Sequence, residues 1–321
     1  MSVQRREDDS HPKALVVAFD TLQMSGLVLL LTLLAPALFS PNVKRTATWF
    51  GIIISVIIYC VSYSILMFIG GQDDPEPSPG VCLFQACLVY STPILSVFCA
   101  LGFIVELLVH FFRTSRGKTP SRVTPIILLA SSSLLSLCVA LEVLVVGLQS
   151  PEHVQRNESR LYCHLTAAKP NLVVCVLGII MSLATMIAEV VIILVIRKTA
   201  VELRRKTSSI PSLPTHLLVR LFLFSTCICF VVCISVYSVI VPPEGGALSA
   251  WYILLNGGPI GVVVTFGTQK DILCFYFRRK QNLNIGQQRR RTVRVSEEDV
   301  SRNTLLYEMG NSPSSQNVSL T

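Results

Sequence analysis

Charge is scarce in this chain: Asp, Glu, Lys and Arg make up 14% of its 321 residues, against 51% hydrophobic residues. Soluble domains carry roughly a quarter charged residues, so no separate soluble domain fits. Metal-binding signatures are also missing, because the 11 cysteines and five histidines form no C-x-x-C pair and no His/Cys cluster. No paired nucleophile and base stand at one depth, which argues against an enzyme, and no cofactor is expected. One half of the chain does not repeat in the other, as transporters built from repeated halves normally show. No charge pattern calls for nucleic acid.

What fills the chain is a series of seven long apolar stretches, at 14–39, 47–69, 81–112, 123–148, 172–196, 217–241 and 248–266. Each can cross a hydrocarbon core of about 30 Å at about 1.5 Å per residue. Backbone amides find no water there and must close their hydrogen bonds within a helix. The expected fold is therefore an all-α bundle of seven transmembrane helices. A retinal-binding pump is excluded, since its buried lysine is missing and Lys270 stands only at the edge of the seventh stretch.

Loop charge orients the bundle, because Lys and Arg are retained on the cytoplasmic side. Lys44 and Arg45 lie in one loop, Arg113, Arg116, Lys118 and Arg122 in the next on that side, and Arg197, Lys198, Arg204, Arg205 and Lys206 in the third. Nine more follow between Lys270 and Arg302, against six in total on the other side: Arg5, Arg6, Lys13, Arg156, Arg160 and Lys169. The extracellular amino terminus is thus 1–13, with the first helix an uncleaved signal anchor, and the carboxyl terminus is cytoplasmic. Anionic lipid of the inner leaflet or a protein partner can answer the net charge of +8. The sequon at Asn157 falls outside and is a glycosylation candidate, whereas that at Asn317 falls inside.

Eight cysteines lie within spans and read as small apolar residues. Cys82, at the outer mouth of the third stretch, and Cys163, in the outer loop before the fifth, face an oxidising surface and are expected to pair. Cys87 is the competing partner for Cys163.

Ionisable groups inside a membrane are costly and usually functional. Glu106, about 9 Å from the inner end of the third stretch, Glu189 at a similar height, and Arg220 at the inner start of the sixth can form a cytoplasmic lock. In the plainer alternative Arg220 reaches lipid phosphate and the glutamates bond locally. Asp20 and Glu142 lie in the outer third, where they meet a ligand or pair with Gln23 and with Ser131, Ser132 and Ser133. Pro36, Pro93, Pro125 and Pro259 predict kinks, and Gly257, Gly258 and Pro259 form a candidate hinge in the seventh stretch.

After the seventh stretch, residues 270–280 suit a short amphipathic helix on the inner membrane face. Cys274 there is a palmitoylation candidate or a buried thiol. The polar tail 281–321 is expected to be disordered. Thr292, Ser296 and Thr207–Ser209 follow basic residues as kinase sites do.

Two segments resemble a known family: Cys82-Leu83-Phe84-Gln85-Ala86 and Phe266-Gly267-Thr268-Gln269-Lys270-Asp271-Ile272-Leu273 are similar to the orphan seven-transmembrane, G-protein-coupled-receptor-like proteins of mushroom-forming fungi. The resemblance spans all seven stretches and implies a plasma-membrane receptor for an unidentified extracellular ligand. The marks of animal rhodopsin-like receptors are absent. His110-Phe111-Phe112-Arg113 stands where Asp-Arg-Tyr would, and the seventh stretch has no Asn-Pro-x-x-Tyr. A heterotrimeric G protein as partner thus rests on the resemblance alone. The ligand is expected between helices three, five, six and seven, with the inner loops and the helix at 270–280 meeting the partner. A seven-helix transporter of a small solute or lipid is the alternative.

Overall fold

The structure, a computed structural model, describes residues 10–40, 45–72, 77–115, 119, 121–157, 159–206 and 256–269. It also describes scattered positions between 222 and 237, and positions 272, 275 and 276. Six helices organise these residues: α1 (Ser10–Phe39), α2 (Ala47–Tyr63), α3 (Pro79–Ser115), α4 (Val123–Gln149), α5 (Ala168–Lys206) and α6 (Gly258–Gly267). Among the described residues α1, α3, α4 and α5 are long and apolar enough to cross a membrane, while α2 and α6 are apolar and shorter.

The surface is inverted relative to a water-soluble bundle. On α4 the exposed side chains are Val123, Ile126, Ile127, Leu134, Leu137, Leu141, Val145 and Leu148. Its buried face is Ser132, Ser136, Val139, Val143 and Gly147. On α5 Leu172, Ile180, Leu183, Ile187 and Leu194 point out, while Ser182, Thr185, Ala188 and Glu189 point in. Leaving such a stripe in water would cost on the order of 10 kcal/mol for α4 alone, as much as the whole stability of a typical domain. Lipid removes that cost, so the pattern is that of a membrane protein. In lipid, apolar faces gain nothing by meeting each other, so helices associate through small residues and interhelical hydrogen bonds. Ser136 Oγ donates to the Ser91 carbonyl of α3 across 3.1 Å in this way.

At the centre stands α3, packed against α2, α4 and α5, while α1 packs on α2 and α6. The close approach of α1 to α6 depends on Gly26, where a Cβ would lie 3.0 Å from Pro259 Cβ, part of a rigid ring. Thr46 caps α2, its Oγ1 accepting from the Trp49 amide at 3.4 Å. The 47–69 stretch is interrupted at Ser64, whose hydroxyl donates to the Cys60 carbonyl at 2.9 Å. One more turn, Ile65–Phe68, follows. Gly70, with φ 68°, ends that turn, and the amides of Gly70 and Gly71 return to the carbonyls of Met67 and Leu66. This is a glycine-terminated helix end, in which the left-handed residue satisfies two orphan carbonyls.

The loop between α4 and α5 is not the irregular segment expected of an all-α chain. It forms an antiparallel hairpin of β1 (Val154–Arg156) and β2 (Cys163–Leu165), with Val154 opposite Leu165 and Arg156 opposite Cys163. The seventh stretch also differs. Asn256 and Gly257 form a turn, and α6 begins at Gly258. Pro259 thus occupies the first helical turn, where a missing amide proton costs nothing. Residues 248–255 lie outside the described set.

Beyond Gln269 the chain forms a second unit, of which three positions are described. They are helical, and the Phe275 and Tyr276 rings meet edge to face at 5.4 Å. Cys274, the tail 281–321, Thr292, Ser296, Thr207–Ser209 and Arg220 all lie outside the described residues.

Candidate functional site

The hairpin caps one end of the bundle, and its apolar residues explain why it sits there. Leu161 is fully buried against Leu15 and Phe19 of α1, with Tyr63 and Tyr162 around it. Leu165 is buried among Ala86, Tyr90, Ile94, Val139 and Val143 of α3 and α4. Tyr90 Oη donates to the Leu165 carbonyl at 3.2 Å. Cys82 is joined to Cys163 in a disulfide with a Cα–Cα distance of 5.2 Å, and Cys87 is a free thiol. Gln85, one turn along α3, holds the same strand: its Oε1 accepts from the Cys163 amide at 3.0 Å and its Nε2 donates to the Ser62 carbonyl of α2 at 3.1 Å. Arg156 donates to the carbonyls of Gly71 and Gln72, at 3.0 and 3.4 Å. The glycine-terminated end of the second stretch thereby fixes β1.

Beneath this cap lies a group of aromatic and amide side chains from four segments. Tyr59 and Tyr63, one turn apart on α2, have ring centroids 4.6 Å apart. Tyr63 meets Tyr162 of the hairpin at 5.2 Å and 72°, and Phe19 of α1 at 6.3 Å. Tyr162 in turn contacts His164 at 6.5 Å. Asp20 accepts a 3.0 Å hydrogen bond from Gln72 Nε2. Gln23, one helical turn deeper on α1, donates to Asn256 Oδ1, which also accepts from Tyr59 Oη at 3.3 Å. Gln23 and Asn256 are buried, whereas Asp20, Tyr59, Tyr63, Tyr162 and His164 each retain some accessible surface. Gln23 Oε1 is buried with no hydrogen-bond partner among the described residues.

The two ligand-side carboxylates separate here. Asp20 joins this group, but through Gln72 rather than through Gln23. Glu142 is partly buried on α4, and the hydroxyls of Ser131, Ser132 and Ser133 turn back to the carbonyls of Leu128 and Leu129 instead of meeting it. At the hairpin end of α3 and α5, Leu165 and Tyr90 pack with Val174 and Leu177, while most of the sixth stretch, expected with the third, fifth and seventh to border the ligand, lies outside the described residues.

The opposite end is held differently. Glu106 accepts a hydrogen bond from Thr48 Oγ1, which ties α3 to α2. Trp49 meets Phe266 at 6.5 Å and Phe103 meets Phe266 at 5.8 Å, both edge to face, joining α2, α3 and α6. The Arg45 guanidinium lies 5.6 Å over the Trp49 ring. Glu189 is buried on α5 beside Ser225, yet Glu189 Oε1 and Ser225 Oγ form no hydrogen bond among the described residues. Of the three lock residues, Glu106 bonds to Thr48, Glu189 stands beside Ser225 of the sixth stretch, and Arg220 lies outside the described residues. The hinge residues need no special backbone: Gly257 has φ −70°, and a Cβ on Gly258 would meet nothing within 4 Å.

Sequence reading passed over Tyr59, Tyr63, Tyr162, Gln72 and Thr48. The Tyr59/Tyr63 pair did carry a signal, two phenols at i, i+4 within an apolar span. Asn157 ends β1, its amide bonded to the Tyr162 carbonyl at 2.9 Å, and Ser159 of its sequon is buried in the turn. Among the described residues no group of three His, Cys, Asp or Glu side chains could hold a metal ion. No protein-family model and no curated protein matches the chain.

Proposed function

We propose that the protein is a seven-helix plasma-membrane receptor of the G-protein-coupled type, with its amino terminus outside. An extracellular ligand would shift the helix packing toward a state whose inner surface engages a cytoplasmic partner, a heterotrimeric G protein in this reading. The observation that carries it is the capped end of the bundle. A disulfide-tethered hairpin covers a polar, aromatic-lined interior, while the far end is closed by contacts among α2, α3 and α6. The bias of Lys and Arg supports the cap as the extracellular side. In this orientation Asn157 is available for glycosylation, and the basic inner loops face anionic lipid.

One observation favours a second reading, transport of a small solute or lipid: Asn256 and Gly257 form a turn within the seventh apolar stretch, ahead of α6, and transporters place their sites at interrupted apolar segments. A G-protein activation reporter run beside uptake assays in the same cells separates the two. Signalling without uptake is the expected result, and uptake without any signalling output would replace the receptor reading by the second.

The inner closure gives a further test. Arg220→Glu is expected to raise basal signalling at equal surface expression if Arg220 takes part in holding that end. An unchanged level would leave Thr48 and Glu106 as the closing pair.

A further inference from the structure

The capped group under the hairpin has an excess of one kind of chemistry. Asp20 contributes a carboxylate with a single described donor, Gln72 Nε2. Gln23 contributes Oε1, an acceptor without a described partner on a fully buried residue. In the same group Tyr63 and Tyr162 meet edge to face at 72°, Tyr59 packs on Tyr63, and the Tyr59 hydroxyl donates to Asn256. The carboxylate and the free amide oxygen are acceptors and the rings carry negative faces; none of these side chains is cationic, and the imidazole of the group, His164, lies against Tyr162 at 6.5 Å. Arg156 at the rim is turned to the carbonyls of Gly71 and Gln72. Phe19, Tyr63 and Leu161 give the group an apolar margin.

Such a set selects for a compact cation. Ring faces attract ammonium groups, most strongly once water is excluded, and aromatic corners closed by a carboxylate are how quaternary ammonium ions are held. A neutral ligand of the same shape would bury in the same corner and lose that attraction. An anion would face Asp20. Asp20 and Gln23 are three residues apart, on one face of α1, so one ligand can touch both the carboxylate and the amide oxygen below it.

We propose that Asp20, Gln23, Tyr59, Tyr63 and Tyr162 form a binding site for a small organic ammonium ion entering beneath the hairpin. This gives the ligand class of the receptor reading above and rests on it for the route from outside. Binding itself is measured on purified protein, so its failure and the failure of signalling are separate results.

The test uses the full chain in lipid nanodiscs, with choline as probe and 3,3-dimethylbutan-1-ol as its uncharged isostere. Choline is expected to raise the unfolding temperature in a saturable way at millimolar concentration, and the isostere is expected to leave it unchanged. Asp20→Asn keeps an oxygen for Gln72 and so preserves the fold, but should weaken choline at least tenfold. Tyr63→Leu should weaken it comparably, and Glu142→Gln should not. Equal stabilisation by both compounds, no stabilisation by choline, or full choline affinity in Asp20→Asn would each overturn the proposal.

Discussion

The two ends of the bundle are built on opposite principles. At the hairpin end, tethers surround polar groups that keep some accessible surface: one disulfide, the Gln85 bridge and the Arg156 contacts hold a cap over Tyr59, Tyr63 and Asp20. At the far end, three rings and one Thr–Glu hydrogen bond pack α2, α3 and α6 directly together. A tethered cap resists loss, and several groups beneath it keep some accessible surface. A closure that rests on a few side-chain contacts can separate and re-form at modest cost. Under the proposed receptor reading, the capped end would receive the ligand and the far end would respond.

Breaking the cap is expected to give the largest effect. Cys82→Ser or Cys163→Ser removes a bridge across 81 residues. Such a loss costs about 2–5 kcal/mol, so surface expression and unfolding temperature should both fall sharply. Gln85→Leu comes next, because it leaves the Ser62 carbonyl and the Cys163 amide buried without partners. The cost is about 1–3 kcal/mol, and faster hydrogen exchange in β2 should accompany it.

Loosening the far end should change function more than stability. Thr48→Val removes the donor to Glu106 and is expected to cost about 1 kcal/mol while raising basal signalling. Glu106→Gln combined with Thr48→Val should be less than additive, since the two share one contact. Additive effects would show that the pair does not act together. The smallest change expected is at Arg160, which sits in the hairpin turn with φ 59°. Arg160→Gly relieves that conformation and should stabilise by about 1 kcal/mol or less, read as a small rise in unfolding temperature.

Four of the apolar stretches, those of α1, α3, α4 and α5, were legible because runs of this length have one stable conformation in lipid, whatever their neighbours. Cys82 and Cys163 were legible because loop charge placed both on the oxidising side. The hairpin was not. Val154–Arg156 and Cys163–Leu165 are too short to show alternation, and they pair because Leu161 and Leu165 have places to go in the bundle. Ser64 gave no sign of a helix break, since its hydroxyl is satisfied within its own helix. The partners of Asp20 and Glu106 were missed for a related reason. Depth along a helix can be counted from sequence, whereas the direction a side chain faces depends on which segments become neighbours, and here Gln72 stands beside Asp20 and Thr48 beside Glu106.

The assignment of one end to the outside and the other to the cytoplasm is tested most directly by antibody access to epitope tags placed before Met1 and after Thr321 of the same protein. The account predicts that intact cells bind antibody at the first tag only, with the second reached after the membrane is permeabilised. Equal access to both tags in intact cells, or to neither, would place the two termini on one side and contradict it.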